Sequence, residues 1–309
     1  MLCGEGYINL HQTQPMTDLT RMVRVVRSVC QPHLPERTGP GRPPRYPDLL
    51  ILELGATQHL RGFVSEAAFC RWLRCQERLP WRALPSPSQY HRRKKALGPR
   101  LALLLPAITE RWMLHRERVR IIDSTPVPVI GYMRARWSPR FTDPQRCRFG
   151  YCAAKQERYF GYKLHLVTSK EGIPVTYVLS PANQHDIHLL SVLASRLDRG
   201  TMLLGDKGYI SADLHEEIQE THKVHVLTPK RKNQKIQNSP WQRSLLKRRG
   251  RIETTIGQLK DHLGLERLGA KSHEGAEARI AWTLFAYLMG VAINRKLRRP
   301  SRQIKALLA

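Results

Sequence analysis

The chain has 309 residues, 41% of them apolar, and a formal net charge of +27. That is enough for one sizeable core and an accessory module, and it excludes a peptide-sized or purely fibrous protein. So large a positive excess asks for a polyanion, with nucleic acid first because neutralising phosphates releases counterions, and an acidic membrane surface second.

No N-terminal stretch has the charged start and apolar centre of a signal peptide, so the chain is expected to stay in the cytosol. The apolar run from Trp282 to Ile293 is too short to span a bilayer and is expected to be a buried helix. Six cysteines do not make a disulfide framework. Cys70 with Cys75, and Cys147 with Cys152, lack a second ligand pair at zinc spacing, so ordinary reduced thiols are expected.

Helical spacing runs from Met16 to about His33 and is broken by the basic Pro/Gly linker at 39–47. Further helical patterns cover Asp48 to Leu60, Ser65 to Leu73 and Ser88 to His115. The last begins with a capped start followed by Arg92, Arg93, Lys94 and Lys95, read as a helix laid on DNA in preference to a solvated face. Residues 1–118 are therefore expected to form an all-α DNA-end-binding module.

After Val119 the pattern changes to strands alternating with helices. Val119 to Asp123 reads as a short buried strand, and Tyr162 to Thr168 with Pro174 to Leu179 as a hairpin. A helix is expected from Asn183 to Leu197, a second acid-ended strand from Met202 to Asp206, and a helix capped by Ser211. A strand at Val224 to Leu227 follows, and one long helix from Ser244 to Leu263. This order gives an α/β fold, a mixed sheet flanked by helices, over 119–297, with a basic tail at 298–309.

Asp123 and Asp206 end two core strands, at the rim where ligands of open α/β folds bind. On the last helix, at 100° per residue, Leu245, Ile252, Ile256, Leu259 and Leu263 form a buried stripe, and Arg249, Glu253 and Lys260 fall in one file roughly 60–100° from Ile252. An Arg249–Glu253 salt bridge would explain two of them but adds only tenths of a kcal/mol. Three carboxylates converging in so basic a chain point to two divalent cations, magnesium or manganese, acting on phosphate.

Asn183 and Asp186 fall at a predicted helix start, where capping explains them better than metal ligation with His185 and His188. Tyr209 is open between stacking on a displaced base and core packing. Thr228 to Arg251 holds nine basic residues, Lys230, Arg231 and Lys232 among them, and no acid, which reads as a DNA track.

Four blocks in this order resemble the DDE transposases of bacterial insertion sequences. They are Ile122-Asp123-Ser124-Thr125-Pro126-Val127-Pro128, Phe160-Gly161-Tyr162-Lys163-Leu164-His165, Gly205-Asp206-Lys207-Gly208-Tyr209, and Arg249 to Lys260. The first and last look most like the insertion sequence 982 family, and the resemblance covers roughly residues 86–292. It implies a ribonuclease H-like core in which Asp123, Asp206 and Glu253 bind the metals. Arg249 and Lys260 sit where the signature Tyr-x2-Arg-x3-Glu-x6-Lys places its cations, with Leu246 at the Tyr position. The expected activity is cleavage and transfer of double-stranded DNA at transposon ends by a homodimer. The alternatives are a nuclease that only hydrolyses and a transposase-derived DNA-binding protein without catalysis.

Overall fold

The computed structural model describes residues 19–34, 44–112, 114–231 and 236–307. Residues 16–18, the linker at 39–43, Lys232 and the last two residues of the expected tail lie outside the described residues.

Four helices come first: α1 (Leu19–Cys30), α2 (Asp48–Leu60), α3 (Glu66–Arg74) and α4 (Pro87–Arg111). Ser86 opens α4 with a reciprocal capping box to Gln89. Then come β1 (Val119–Ile130), α5 (Tyr132–Ala135), β2 (Arg148–Cys152), β3 (Glu157–Ser169), β4 (Pro174–Pro181), α6 (Leu190–Ala194), β5 (Met202–Leu204), α7 (Ala212–His222) and β6 (His225–Leu227). The chain closes with α8 (Pro240–Leu246), α9 (Gly250–Asp261) and α10 (His273–Lys296).

The sheet order is β2-β3-β1-β5-β6, with β4 also paired to β3. β3 runs antiparallel to β1, β2 and β4, whereas β5 and β6 are parallel to β1. β1 is longer than its sequence signal, continuing through Pro126 and Pro128. β5 pairs only with Val119–Ile121, so the prolines stand where one side of β1 has no ladder to interrupt.

Successive strand residues face opposite sides. Ile121 joins a large core with Val127, Leu164 and Leu204, while Ile122 joins a second core with Val167, Leu190, Tyr209 and Ile218. The large core is continuous from Met22 to Leu307. α10 is its axis: it is long and apolar enough to cross a membrane, but it lies inside the protein. α2 and α4 press closely on it, with Trp282 over Gly55 and Ala278 against Gly98. The indole Nε1 of Trp282 donates to Lys94 O at 3.0 Å. The helical region therefore shares its core with the C-terminal helix.

Three local expectations are revised. The helix expected from Asn183 is a 3-10 turn at Asp186–Leu189 followed by the short α6. The single helix expected over 244–263 is split, because Lys247–Arg249 tighten into a 3-10 turn ahead of Gly250, a poor helix former. The basic segment after α10 is docked, with Ile304 and Leu307 buried and Gln258 donating to Arg302 O at 2.8 Å.

Candidate active site

Ile121 and Leu204 are register partners on the adjacent parallel strands β1 and β5. Asp123 and Asp206 each follow two residues later, so the parallel register delivers both acids to the same rim. Asp123 Oδ1 accepts the Ser124 N–H at 2.8 Å. Asp206 caps the turn Lys207–Tyr209, accepting from Gly208 N at 2.9 Å.

Asp123 shares the Ile121 face of β1, and α9 covers that face through Ile252, Ile256 and Leu259. α9 is pinned to the β3–β4 turn by Thr255 Oγ1, which donates to Gly172 O at 2.6 Å. Gly172 has φ +85°, and a Cβ there would stand 2.9 Å from both Arg251 O and Thr255 Oγ1, so only glycine fits the approach. This docking sets exposed Glu253, in the first turn of α9, toward the acids.

The three carboxylates interact. Burial first, and then the charges of Asp206 and Glu253, push Asp123 up to about 6, against the Ser124 hydrogen bond and the Arg249 guanidinium. Among the described residues no group of three or more His, Cys, Asp or Glu side chains is arranged to hold a metal ion. The donor set nevertheless fits a hard divalent cation in kind: carboxylate oxygens only, with the crowded Asp123 carboxylate one that a bound positive charge would stabilise.

A fourth carboxylate adjoins them. Asp186 does not cap the turn it opens; that role falls to His185, whose ring accepts from Ile187 N. Asp186 turns inward, with Oδ1 3.0 Å from Lys163 Nζ, and its Oδ2 lies near Gly208, two residues after Asp206. Lys163 Nζ also donates to Gln184 O at 2.7 Å. His165, fully buried, lies with Nδ1 3.9 Å from Asp186 and shares a hydrogen bond of 2.9 Å with Ser180 Oγ; burial pushes its pKa down. Tyr209 is buried, which rules out stacking on an external base, and burial followed by the charges of Asp186, Asp123 and Asp206 drives its phenol well above the usual range. The Phe160 to His165 block carried the signal for Lys163 and His165, but helix-start statistics hid the role of Asp186.

The expected cations separate into groups. Half-buried Arg249 lies close enough to bear on Asp123. Lys260, seven residues or about 10 Å beyond Glu253 along α9, pairs with Glu266 at 2.9 Å, as does Lys155 at 2.7 Å. Arg92, Lys95, Lys230 and Arg231 are exposed, and Asn238 Oδ1 accepts from Lys230 N. Arg93 is ion-paired to Asp48. Lys94 requires correction as a DNA contact. It is buried, donates to Gln58 Oε1 at 2.8 Å and stands 3.4 Å from Glu66, so no phosphate reaches it; desolvation pushes it down to about 8.

A family model described as a transposase DDE domain matches residues 114–289. The chain is also similar to the transposase for insertion sequence element IS1106 of Neisseria meningitidis serogroup B, at 30% identity over 125 residues. That stretch takes in 37% of this chain and 43% of the relative's length. No solved structure matches the chain.

Proposed function

Because the chain belongs to the transposase DDE domain family, we propose that it binds the ends of a bacterial insertion sequence and catalyses metal-dependent strand cleavage and strand transfer. The observation that carries this is the delivery of Asp123 and Asp206 to one rim by the β1–β5 register, with Glu253 and Arg249 bearing on Asp123.

Asp123, Asp206 and Glu253 would hold magnesium or manganese, two ions per site, and such ions stabilise the attacking and leaving oxygens of an in-line phosphoryl transfer. The residues themselves do the rest. Arg249 offsets the negative charge beside Asp123 and offers a guanidinium fork to the reacting phosphate. Asp206 is held by its own turn, so its carboxylate is oriented before DNA arrives. Arg92, Lys95, Lys230, Arg231 and Lys260 hold flanking phosphates.

Four strands joined by antiparallel pairings, β1 to β4, followed by two parallel to β1 support a ribonuclease H-like core. Within the family we place the chain nearest the insertion sequence 982 group on its Asp123 and Glu253 blocks. Pairing two transposon ends calls for a homodimer in the DNA complex, working in the cytoplasm on the nucleoid. The test is cleavage of a DNA fragment carrying the flanking inverted repeats, with and without magnesium, plus a labelled donor end to detect joining. Hydrolysis without joining would indicate a nuclease, and binding without either would indicate a non-catalytic descendant.

A further inference from the structure

Beyond the end of β1 lies a surface that the acid site does not use. Residues 131–142 carry Arg134, Arg136 and Arg140 and no acid. In the same stretch Trp137 is 87% exposed and Met133 73%, and on β2 Tyr151 is 59% and Phe149 40% exposed. Single exposed apolar side chains are ordinary on a surface. Here the rings form a built series: Tyr132 meets Phe149 edge-on at 5.3 Å, and Phe149 meets the buried Phe160 at 4.8 Å.

Arginine overlies this series. The Arg136 guanidinium is 6.0 Å from the Tyr132 ring centre, and hydrogen bonds from Arg158 and Arg136 hold the Tyr132 phenol below its usual range. Beside it opens a groove of about 440 Å³, with Phe149 and Phe160 among its walls and Arg136, Arg140 and Arg148 around them. That volume is within the range of sites that take small planar ligands.

We propose that this groove receives unpaired bases of a single DNA strand, an inference that rests on the transposase reading and deepens it. Aromatic faces beside cations bind single strands because every unpaired base offers a π-face, whereas a duplex stacks its bases on one another and presents only edges and phosphates. Charge complementarity selects the occupant. A second copy of this chain brings the same arginines and the same +27, and like charge opposes that contact. The groove lies roughly 23 Å along β1 from Asp123, seven residues at strand rise, so a strand separated at the acids can extend to it.

The test is a fluorescence-anisotropy titration of the full chain with a labelled oligothymidylate and with a labelled duplex of equal length, comparing wild type with Phe149→Ala and with Phe149→Leu, which keeps apolar bulk in the groove wall but removes the π-face. The Phe149 ring is 40% exposed, and circular dichroism would confirm that the variants fold. The expected result is a roughly tenfold loss of single-strand affinity with duplex affinity changed less than about twofold. Unchanged single-strand affinity, or equal loss on both probes, overturns the inference. So does a variant that dissociates from dimer to monomer without DNA, since that makes the patch a self-association surface. If wild type binds neither probe, the transposase reading falls with it; if wild type binds both and the variants match it, this inference falls alone.

Discussion

Asp123 and Asp206 are equivalent by register: each stands two residues beyond Ile121 and Leu204, the last paired residues of two neighbouring parallel strands. Their juxtaposition is a property of the sheet, so replacing either acid by its amide preserves the frame. Asp206→Asn and Asp123→Asn are each expected to lower DNA cleavage by at least about a hundredfold, because the amide removes a charge from the cation site. Gel-shift affinity for the same DNA is expected to hold or rise, since a charge that repels phosphate has gone. Cleavage by Asp206→Asn at the wild-type rate would remove it from the site.

The elevated Asp123 pKa gives a pH dependence of defined sign. An acid held at about 6 in the fold, against an ordinary 3.8, favours the folded state when protonated. Its contribution is fully present below about pH 3.8 and is lost as pH rises through about 6. The metal-free protein is therefore expected to lose thermal stability between pH 4 and pH 6.5. Magnesium should raise Tm more at pH 7 than at pH 5, and Asp123→Asn should flatten both effects. Differential scanning fluorimetry across that range checks this.

Lys163 and Asp186 hold each other beside the Asp206 turn. Asp186→Asn removes the negative charge that faces a largely buried ammonium and leaves it only neutral acceptors, the Gln184 carbonyl and the new amide oxygen, at an expected cost of about 1–3 kcal/mol. Lys163→Met combined with Asp186→Leu should cost less than either change alone, because both charges go together. Urea denaturation of the three variants measures the difference.

Among the α4 cations, Arg92→Ala with Lys95→Ala is expected to weaken DNA binding and reduce the slope of log affinity against log salt by about 1–2, one for each phosphate no longer neutralised. Lys94→Ala should act on stability instead, because its ammonium serves Gln58 and Glu66 inside the protein. A salt titration beside a melting curve separates the two outcomes.

Gly98 inverts a general rule. Alanine in a helix interior usually stabilises relative to glycine by about 0.5–1 kcal/mol. A Cβ at Gly98, however, would stand 2.4 Å from Ala278 Cβ and 2.8 Å from Ala278 Cα, so α4 and α10 must separate. Gly98→Ala is expected to destabilise by about 1–3 kcal/mol. An increase in Tm would show that the helices yield.

Local sequence carried the placement of the acids. The charge of +27, the acids closing apolar strands and the buried stripe of Ile252, Ile256 and Leu259 beside Glu253 were all legible, because strand and helix periods depend on near neighbours. What local pattern does not carry is which polar residue finds which partner. Lys94 looked like one of four equivalent surface cations until α10 packed across α4 and enclosed it. Asp186 looked like a cap until β3 placed Lys163 beneath it, and β1 outran its signal because the short β5 left its prolines without a ladder to break. The helical region shares a core with a helix whose Trp282 bonds Lys94 from 188 residues later in the chain. Such facts are contacts between distant segments, made by burial and register, and only the folded chain decides them.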